Sequence, residues 1–588
     1  MPSTAEPELA SSLDGVPLFR SLPAAARREL SARAERTQVA AGEHLFRQGD
    51  VGDSMYVVLT GRLKVYVETP EPLDLRILGR GAAIGELSLL TGSSRSASIR
   101  ALRDSELLRL DKDDFTSLLR EQSEFSIALA SVLAKQLQES RGVAIATPPV
   151  AGTISIVALR PGLPVGDLAD RLVAQLGRWR TVARLDLGDA TNGRGESDAA
   201  RLDRLERAAE QVVLVGGELR PDDDWSMFCL RQGDRVLALT GPGAPPPWLG
   251  DVAALRGCDL VLYDGVDVRS WYAPLEPRTT HRLHAEPRFA ASADRIARRL
   301  AGRSVGVVLS GGGARALSSL GALDAILAAG IPIDRIAGCS LGAFISAQFA
   351  AGRDPDQITA SCRYEFIEHY PWNDYTIPLA APIRGHKLRE MFERVFGDGY
   401  IEELELPFFC VSSDLVEAEL VVHDHGPLGP AVSASMCLPG AAPPVPMGDR
   451  MLVDGAIFDN LPVGTMAAKE DGDIIAVDVT AQFMPPRKTD GPSRRQSELV
   501  QRLQTFVVGD EIPRPRYRHT MIRSMLLGSA DTTEEAKRHA RVAISPEISH
   551  IGLTGFKHLD EARALGRKAA EEALAAASDF VASARSED

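Results

Sequence analysis

The chain has 588 residues, more than one hydrophobic core supports, and at about 150 residues per domain this implies three or four folded units. A hydrophobic fraction of 44% beside 25% charged residues is ordinary for folded proteins, and a formal net charge of −14 argues against general nucleic-acid binding, which needs a basic face, while leaving room for a local basic patch. The opening MPSTAEPELASSLDG lacks both the cationic and the apolar part of a secretory leader, and no apolar run reaches the roughly 18 residues of a membrane span. Six cysteines (Cys229, Cys258, Cys339, Cys362, Cys410, Cys437) show no C-x-x-C spacing, as in a reduced compartment, so the expected location is cytoplasmic.

In chain order, residues 37 to 110 carry short alternating segments between glycine turns, such as HLFRQGDVGDSMYVVLTGRLKVYVE, which predict a small antiparallel barrel or sandwich. From Asp113 to Arg141 the spacing of Phe115, Leu118, Leu119, Leu129, Val132, Leu133 and Leu137 predicts a helix, and ATPPVAG then ends the first domain. Between about 151 and 300, strand-like runs (TISIVAL, TVARLDL, QVVLVGG, DRVLALTG, CDLVLYDG) alternate with helical stretches, the pattern of a parallel sheet covered by helices. The loop after its first strand, RPGLPVGD, lacks G-K-[ST], so nucleotide triphosphate hydrolysis is not expected there. A third α/β unit starts at RSVGVVLSGGGARALSSLGALDAILAAG and closes with the helical KHLDEARALGRKAAEEALAAA. The fold class is therefore multidomain α/β, with expected bounds of 1–145, 150–300 and 301–588.

Three stretches of the last unit bear on chemistry. GCSLG, at 338–342, fits the G-x-S-x-G nucleophile elbow, with DRIAG as the strand and AFISAQFAA as the helix whose positive end lies under Ser340. Taken alone the pentapeptide reads equally as a plain N-cap serine. VGVVLSGGGAR puts Gly311, Gly312, Gly313 and Arg315 at a strand-to-helix turn where bare amides can face an oxyanion. The same glycines with Ala316 also fit a dinucleotide fingerprint with Asp334 as the ribose acid, although Asp334 precedes its strand rather than following it. In LVDGAIFDNLPV, Asp454 ends an apolar run, a position more often held by a turn or cap residue.

G-G-G-x-R, G-x-S-x-G and D-G-A in this order resemble the patatin-like phospholipases. SASMCLPGAAPPVP, GHKLREMF and VDGAIFDNLPV resemble more specifically the catalytic region of neuropathy target esterase and its bacterial relatives, over roughly 300 to 580. The resemblance implies a Ser-Asp dyad with Ser340 as nucleophile, Asp454 as base, and an oxyanion hole at Gly311 to Gly313, Arg315 steadying that loop or an anionic substrate group. The chain departs from the commonest family pattern at Ala456, where glycine is usual. An aspartate is an ordinary weak base, so the dyad needs burial to raise its pKa and amides to stabilise the oxyanion. The substrate implied is a phospholipid or lysophospholipid, with no catalytic cofactor and no metal. His423 and His425 in VVHDHGPLG are expected in a solvated loop, and His386 packs or caps a helix.

In the first domain, IGELSLLTGSSRSASI places Glu86 nine residues before Arg95, a carboxylate for a ribose hydroxyl and a guanidinium for a phosphate. The stretch resembles the phosphate-binding cassette of cyclic-nucleotide-binding domains, over about 18 to 140. This implies that Gly85, Glu86, Arg95 and Ser96 hold cAMP or cGMP, with Ser96 leaving the base open and the 113–141 helix serving as lid or homodimer contact. The middle segment resembles the region preceding the catalytic domain in neuropathy target esterase relatives and is assigned no site. PPRKTDGPSRRQ and IPRPRYRHTMIR, within 485 to 523, read as a solvated loop or as a transient contact with anionic membrane surfaces. Two functions follow as expectations: a serine esterase controlled by cyclic nucleotide, or a cyclic-nucleotide sensor whose patatin-like unit is a silent scaffold.

Overall fold

The computed structural model describes residues 33–68, 73–79, 81–121, 126, 152–187, 198–374, 383–468, 472–480 and 528–585. The Pro-rich break before residue 152, the helix predicted beyond 121 (apart from Ser126), and the basic stretches within 485–523 lie outside the described residues. The chain forms two units that divide after Ala301.

The first unit opens with two four-stranded antiparallel sheets. One has the order β1 (Glu35–Val39), β8 (Ser105–Asp111), β3 (Ser54–Thr60), β6 (Ala83–Ile84); the other runs β2 (His44–Phe46), β7 (Ser98–Ala101), β4 (Leu63–Val67), β5 (Leu73–Leu78). The period-two pattern has its expected result: Leu63 and Val65 of β4 point inward and meet Val58 of β3 and Leu107 of β8, giving a jelly-roll-like sandwich around one apolar layer. The helix Lys112–Glu121 follows β8 and buries Phe115 and Leu118.

A six-stranded sheet completes this unit, ordered β10 (Val182–Asp186), β11 (Gln211–Glu218), β9 (Thr153–Ala158), β12 (Arg235–Thr240), β13 (Asp259–Tyr263), β14 (Thr279–Leu283), with every pairing parallel. All six residues of β9 are buried because each face has its own core: Val157 packs on one, Ile154 and Ile156 on the other. That two-sided burial is why its strands read as continuous apolar runs. A polar seam joins the two parts of the unit. Arg103, between β7 and β8, donates to Glu206 at 2.5 Å and lies 3.5 Å from Asp234, to which Arg62 also donates at 2.9 Å.

The second unit is built on eight strands. Its order is β19 (Val445–Met447), β20 (Arg450–Asp454), β17 (Phe408–Asp414), β16 (Arg335–Cys339), β15 (Gly306–Leu309), β21 (Ile474–Val477), β22 (Val542–Ile544), with β18 (Leu420–His423) paired to β17. The run from β17 to β22 is parallel, while β20 and β18 join β17 antiparallel. The helix Ser318–Ala328 packs on the closing helix Leu559–Ala576, and small residues allow it: a side chain on Gly321 or Gly566 would run into the facing backbone.

Candidate active site

The site lies where β15, β16 and β20 end. Strand β16 stops at Cys339, and the buried helix Leu341–Ala350 starts two residues later. A Cβ on Gly338 would stand 2.5 Å from the carbonyl carbon of Gly342, and one on Gly342 would collide with the Leu309 carbonyl, so the strand-to-helix turn closes only with glycine at both positions. Ser340 is forced to a φ of 54° at the helix N-cap. Its side chain makes no capping bond to the helix. The hydroxyl is instead near enough to the carboxylate of Asp454 to favour its ionised form, while the Ser340 amide donates to Ser435 Oγ at 2.9 Å.

Asp454 is the last residue of β20 and is 2% exposed. Its Oδ1 accepts from the Ala456 amide at 3.0 Å and from Cys339 Sγ at 3.5 Å, and its backbone carbonyl accepts from Ser413 Oγ at 3.0 Å. Burial dominates these donors and pushes its pKa up to about 6. Ala456, the departure from the commoner glycine, is buried and contributes only its amide here. Asp454 thus keeps the cap role that its position suggested and also faces Ser340.

The glycine loop follows β15. The space a Gly311 side chain would occupy lies 2.8 Å from Ser340 Cβ and 2.6 Å from Asn460 Oδ1, so the loop lies directly against the serine. The three amides are not equivalent. Gly311 donates to the Asn460 carbonyl at 3.3 Å, whereas the Gly312 and Gly313 amides have no acceptor among the described residues. Arg315 donates through Nε to the Ile551 carbonyl at 2.7 Å and braces the loop. Asp334 accepts from the Val305 amide at 3.1 Å and is fully buried at the opposite end of β16, so it is not placed for a ribose.

His423 departs from the solvated loop expected for it. It ends β18, is 7% exposed and shares a 2.7 Å hydrogen bond with Ser412 Oγ, and burial lowers its pKa to about 4. Its pairing with β17, a strand buried throughout, makes the difference. His425 is exposed beside Asp424, and His386 begins its helix with its amide bound to Asp374 at 2.8 Å. No group of three or more metal-binding side chains occurs among the described residues. Ser435 and Asn460 were not singled out in the sequence, although they fall inside the SASMC and DNLPV strings that carry the resemblance.

In the first unit, Gly85 takes a left-handed φ of 82° and starts the short helix Glu86–Thr91; Glu86 and Arg95 are each 3% exposed, and Ser96 is exposed. Arg95 donates to the carbonyls of Gly85 at 3.2 Å and Ser54 at 2.8 Å and lies 4.1 Å from the centre of the Phe46 ring. The nearest carboxylate paired to it, Asp53, is 3.9 Å away, Nε has no partner, and burial pulls its pKa down. A buried guanidinium so incompletely neutralised suits an anion.

Both stretches match known protein families. Residues 307–467 match the family Patatin-like phospholipase and residues 36–122 the family Cyclic nucleotide-binding domain, so the chain is a hydrolase of the patatin-like phospholipase class with a cyclic-nucleotide-binding domain ahead of it. It is 33% identical over 582 residues to an NTE family protein of Mycobacterium tuberculosis, covering 97% of each chain. The chain belongs to the NTE family. It is also 28% identical over 642 residues to a protein of Coccidioides immitis named lysophospholipase NTE1, covering 92% of this chain and 40% of that one. Among solved structures, the Thermus thermophilus Catabolite Activator Protein is similar over 28% of this chain and 70% of its own, at 27% identity and a TM-score of 0.21. No helix among the described residues is long and apolar enough to cross a membrane.

Proposed function

We propose that the chain hydrolyses acyl esters of phospholipids or lysophospholipids with Ser340 and Asp454 as a dyad, under the control of a cyclic nucleotide. The observation that carries the reading is the strained Ser340, whose hydroxyl leaves the helix end uncapped and lies by a buried carboxylate. Asp454 takes the hydroxyl proton as Ser340 Oγ attacks the ester carbonyl, and free amides of the glycine loop hold the oxyanion. The same proton then passes to the leaving alcohol. In the second half, water attacks the acyl-enzyme, gives its proton to Asp454, and Ser340 recovers it as the fatty acid departs.

Relatives named as lysophospholipases favour a lysophospholipid. Leu415, Val416 and Met451, where β17 runs out beside the start of β20, and Phe458, just after Asp454, are exposed apolar side chains and suit transient contact with a lipid surface. The proposed organisation is a nucleotide-binding domain (1–145), an α/β connector (150–300) and the hydrolase (301–588). The nucleotide, cAMP or cGMP, would be held by Arg95, Glu86, Gly85 and Ser96.

The test is hydrolysis of a short chromogenic ester and of a lysophospholipid by wild type and Ser340→Ala. Wild-type turnover lost in the variant is expected; equal rates in the two proteins would leave the sensor with a silent scaffold as the better account.

A further inference from the structure

The three glycines after β15 look interchangeable as oxyanion donors, and the hydrogen bonds around them say otherwise. Gly311 is gripped from both sides by a residue 149 positions away: its amide donates to the Asn460 carbonyl at 3.3 Å, and its carbonyl accepts from Asn460 Nδ2 at 3.2 Å. The second Nδ2 hydrogen goes to Thr480 Oγ1 at 3.1 Å, so both acceptors are oxygens and the side-chain amide has its orientation fixed. Asn460 is 1% exposed, and its Oδ1 has no hydrogen-bond partner. A buried, half-satisfied amide costs stability, so a core position would ordinarily be better filled by an apolar residue.

The peptide group supplies the link to chemistry. A trans peptide is planar, and its C=O and the following N–H point in opposite directions. Gripping the Gly311 carbonyl therefore fixes the direction of the Gly312 amide. That amide has no acceptor among the described residues, and the Gly311 residue beside it lies against Ser340 Cβ. The far side of the loop is pinned as well: Val479 N donates to Ser310 Oγ at 2.9 Å, and Ser310 N to the Val477 carbonyl at 3.0 Å.

We propose that Asn460 is a positioning residue for hydrolysis, whose side-chain amide fixes the Gly311–Gly312 peptide so that the Gly312 N–H, and not that of Gly311, is held to receive the oxyanion. The inference rests on the hydrolase reading above. An oxyanion donor acts on the transition state more than on the bound ester, so its misalignment lowers kcat and leaves KM nearly alone. A general weakening of the fold would instead lower the melting temperature and the active fraction.

The experiment measures kcat, KM, the pH profile and the rate of fluorophosphonate labelling for the full chain as wild type, Asn460→Leu, Asn460→Ala and Ser340→Ala. For the two Asn460 variants, kcat and the labelling rate should fall together by about 10- to 100-fold, with KM within about threefold and the acid midpoint of the profile unmoved. A kcat within about threefold of wild type in whichever Asn460 variant folds would overturn the proposal, as would a loss confined to KM. An active wild type silenced by Ser340→Ala keeps the hydrolase reading whatever Asn460 does; equal activity in those two proteins would remove both.

Discussion

Asp454 must be basic enough to take a hydroxyl proton and still be ionised at neutral pH, and burial meets both needs by bringing its pKa to about 6. The rate kcat/KM should therefore fall as the pH drops through about 6. Asp459 is also pushed up to about 6 by burial, so the assignment needs a control: Asp459→Asn should keep the acid limb where it is, and a limb that disappears in that variant would transfer the role. Stability follows the opposite course. A carboxyl whose folded pKa lies above its unfolded value stabilises the fold while protonated, and that contribution is lost as pH rises from about 4 to about 6. Above that window the ionised Asp454 costs roughly 1–3 kcal/mol, so Asp454→Asn should raise the melting temperature at pH 7.5 while abolishing turnover. Calorimetry at pH 7.5 and pH 5 checks this, and the gap between variant and wild type should shrink at the lower pH. Arg95 follows similar logic in the first unit. Its guanidinium is buried without close carboxylate pairing, so cAMP or cGMP should raise the melting temperature of wild type and not of Arg95→Leu. An equal shift in both would move the nucleotide elsewhere.

At the level of elements, the turn between β16 and the helix Leu341–Ala350 depends on space rather than attraction. An alanine at position 342 would set its methyl against the Leu309 carbonyl, a backbone atom at the end of a buried strand with no flexible tip to move aside. Gly342→Ala should cost about 1–3 kcal/mol and reduce activity, measured as a lower urea midpoint with an altered labelling rate. A midpoint equal to wild type would contradict this packing. Much of this element was legible from sequence, because G-x-S-x-G needs glycine at both ends for a local reason and the apolar runs on either side are local too. The bonding of the loop was not legible. Gly-Gly-Gly reads as three bare amides until a residue from beyond β20 takes up the first of them. His423 shows the same limit: beside a glycine and an aspartate it reads as surface, and only pairing of β18 with the buried β17 draws it inside.

On the scale of the molecule, the antiparallel sandwich and the parallel sheet of the first unit meet at Arg62, Arg103, Glu206 and Asp234. Burial raises the Asp234 pKa despite its two arginines, so the seam is poorly hydrated. Arg103→Ala removes one cation and leaves two carboxylates behind, which should destabilise the first unit by about 3 kcal/mol in chemical denaturation. A change below about 0.5 kcal/mol would mean that water already screens the seam. If nucleotide binding controls hydrolysis, saturating cAMP or cGMP should change the wild-type rate and leave that of an Arg95→Leu protein alone; an unresponsive wild type would separate the two activities. The alternation of strands and helices announced both α/β sheets, and the motif order announced the hydrolase. The seam was hidden because its members are spread over more than a hundred residues with no pattern among them.

The most direct measurement is reaction with a fluorophosphonate followed by mapping of the modified peptide in wild type, Ser340→Ala and Asp454→Asn. A single phosphonyl group on Ser340 is expected in wild type, none in Ser340→Ala, and labelling slower by about 100-fold or more in Asp454→Asn. Modification at a different residue, or undiminished labelling without the Asp454 carboxylate, would contradict the dyad.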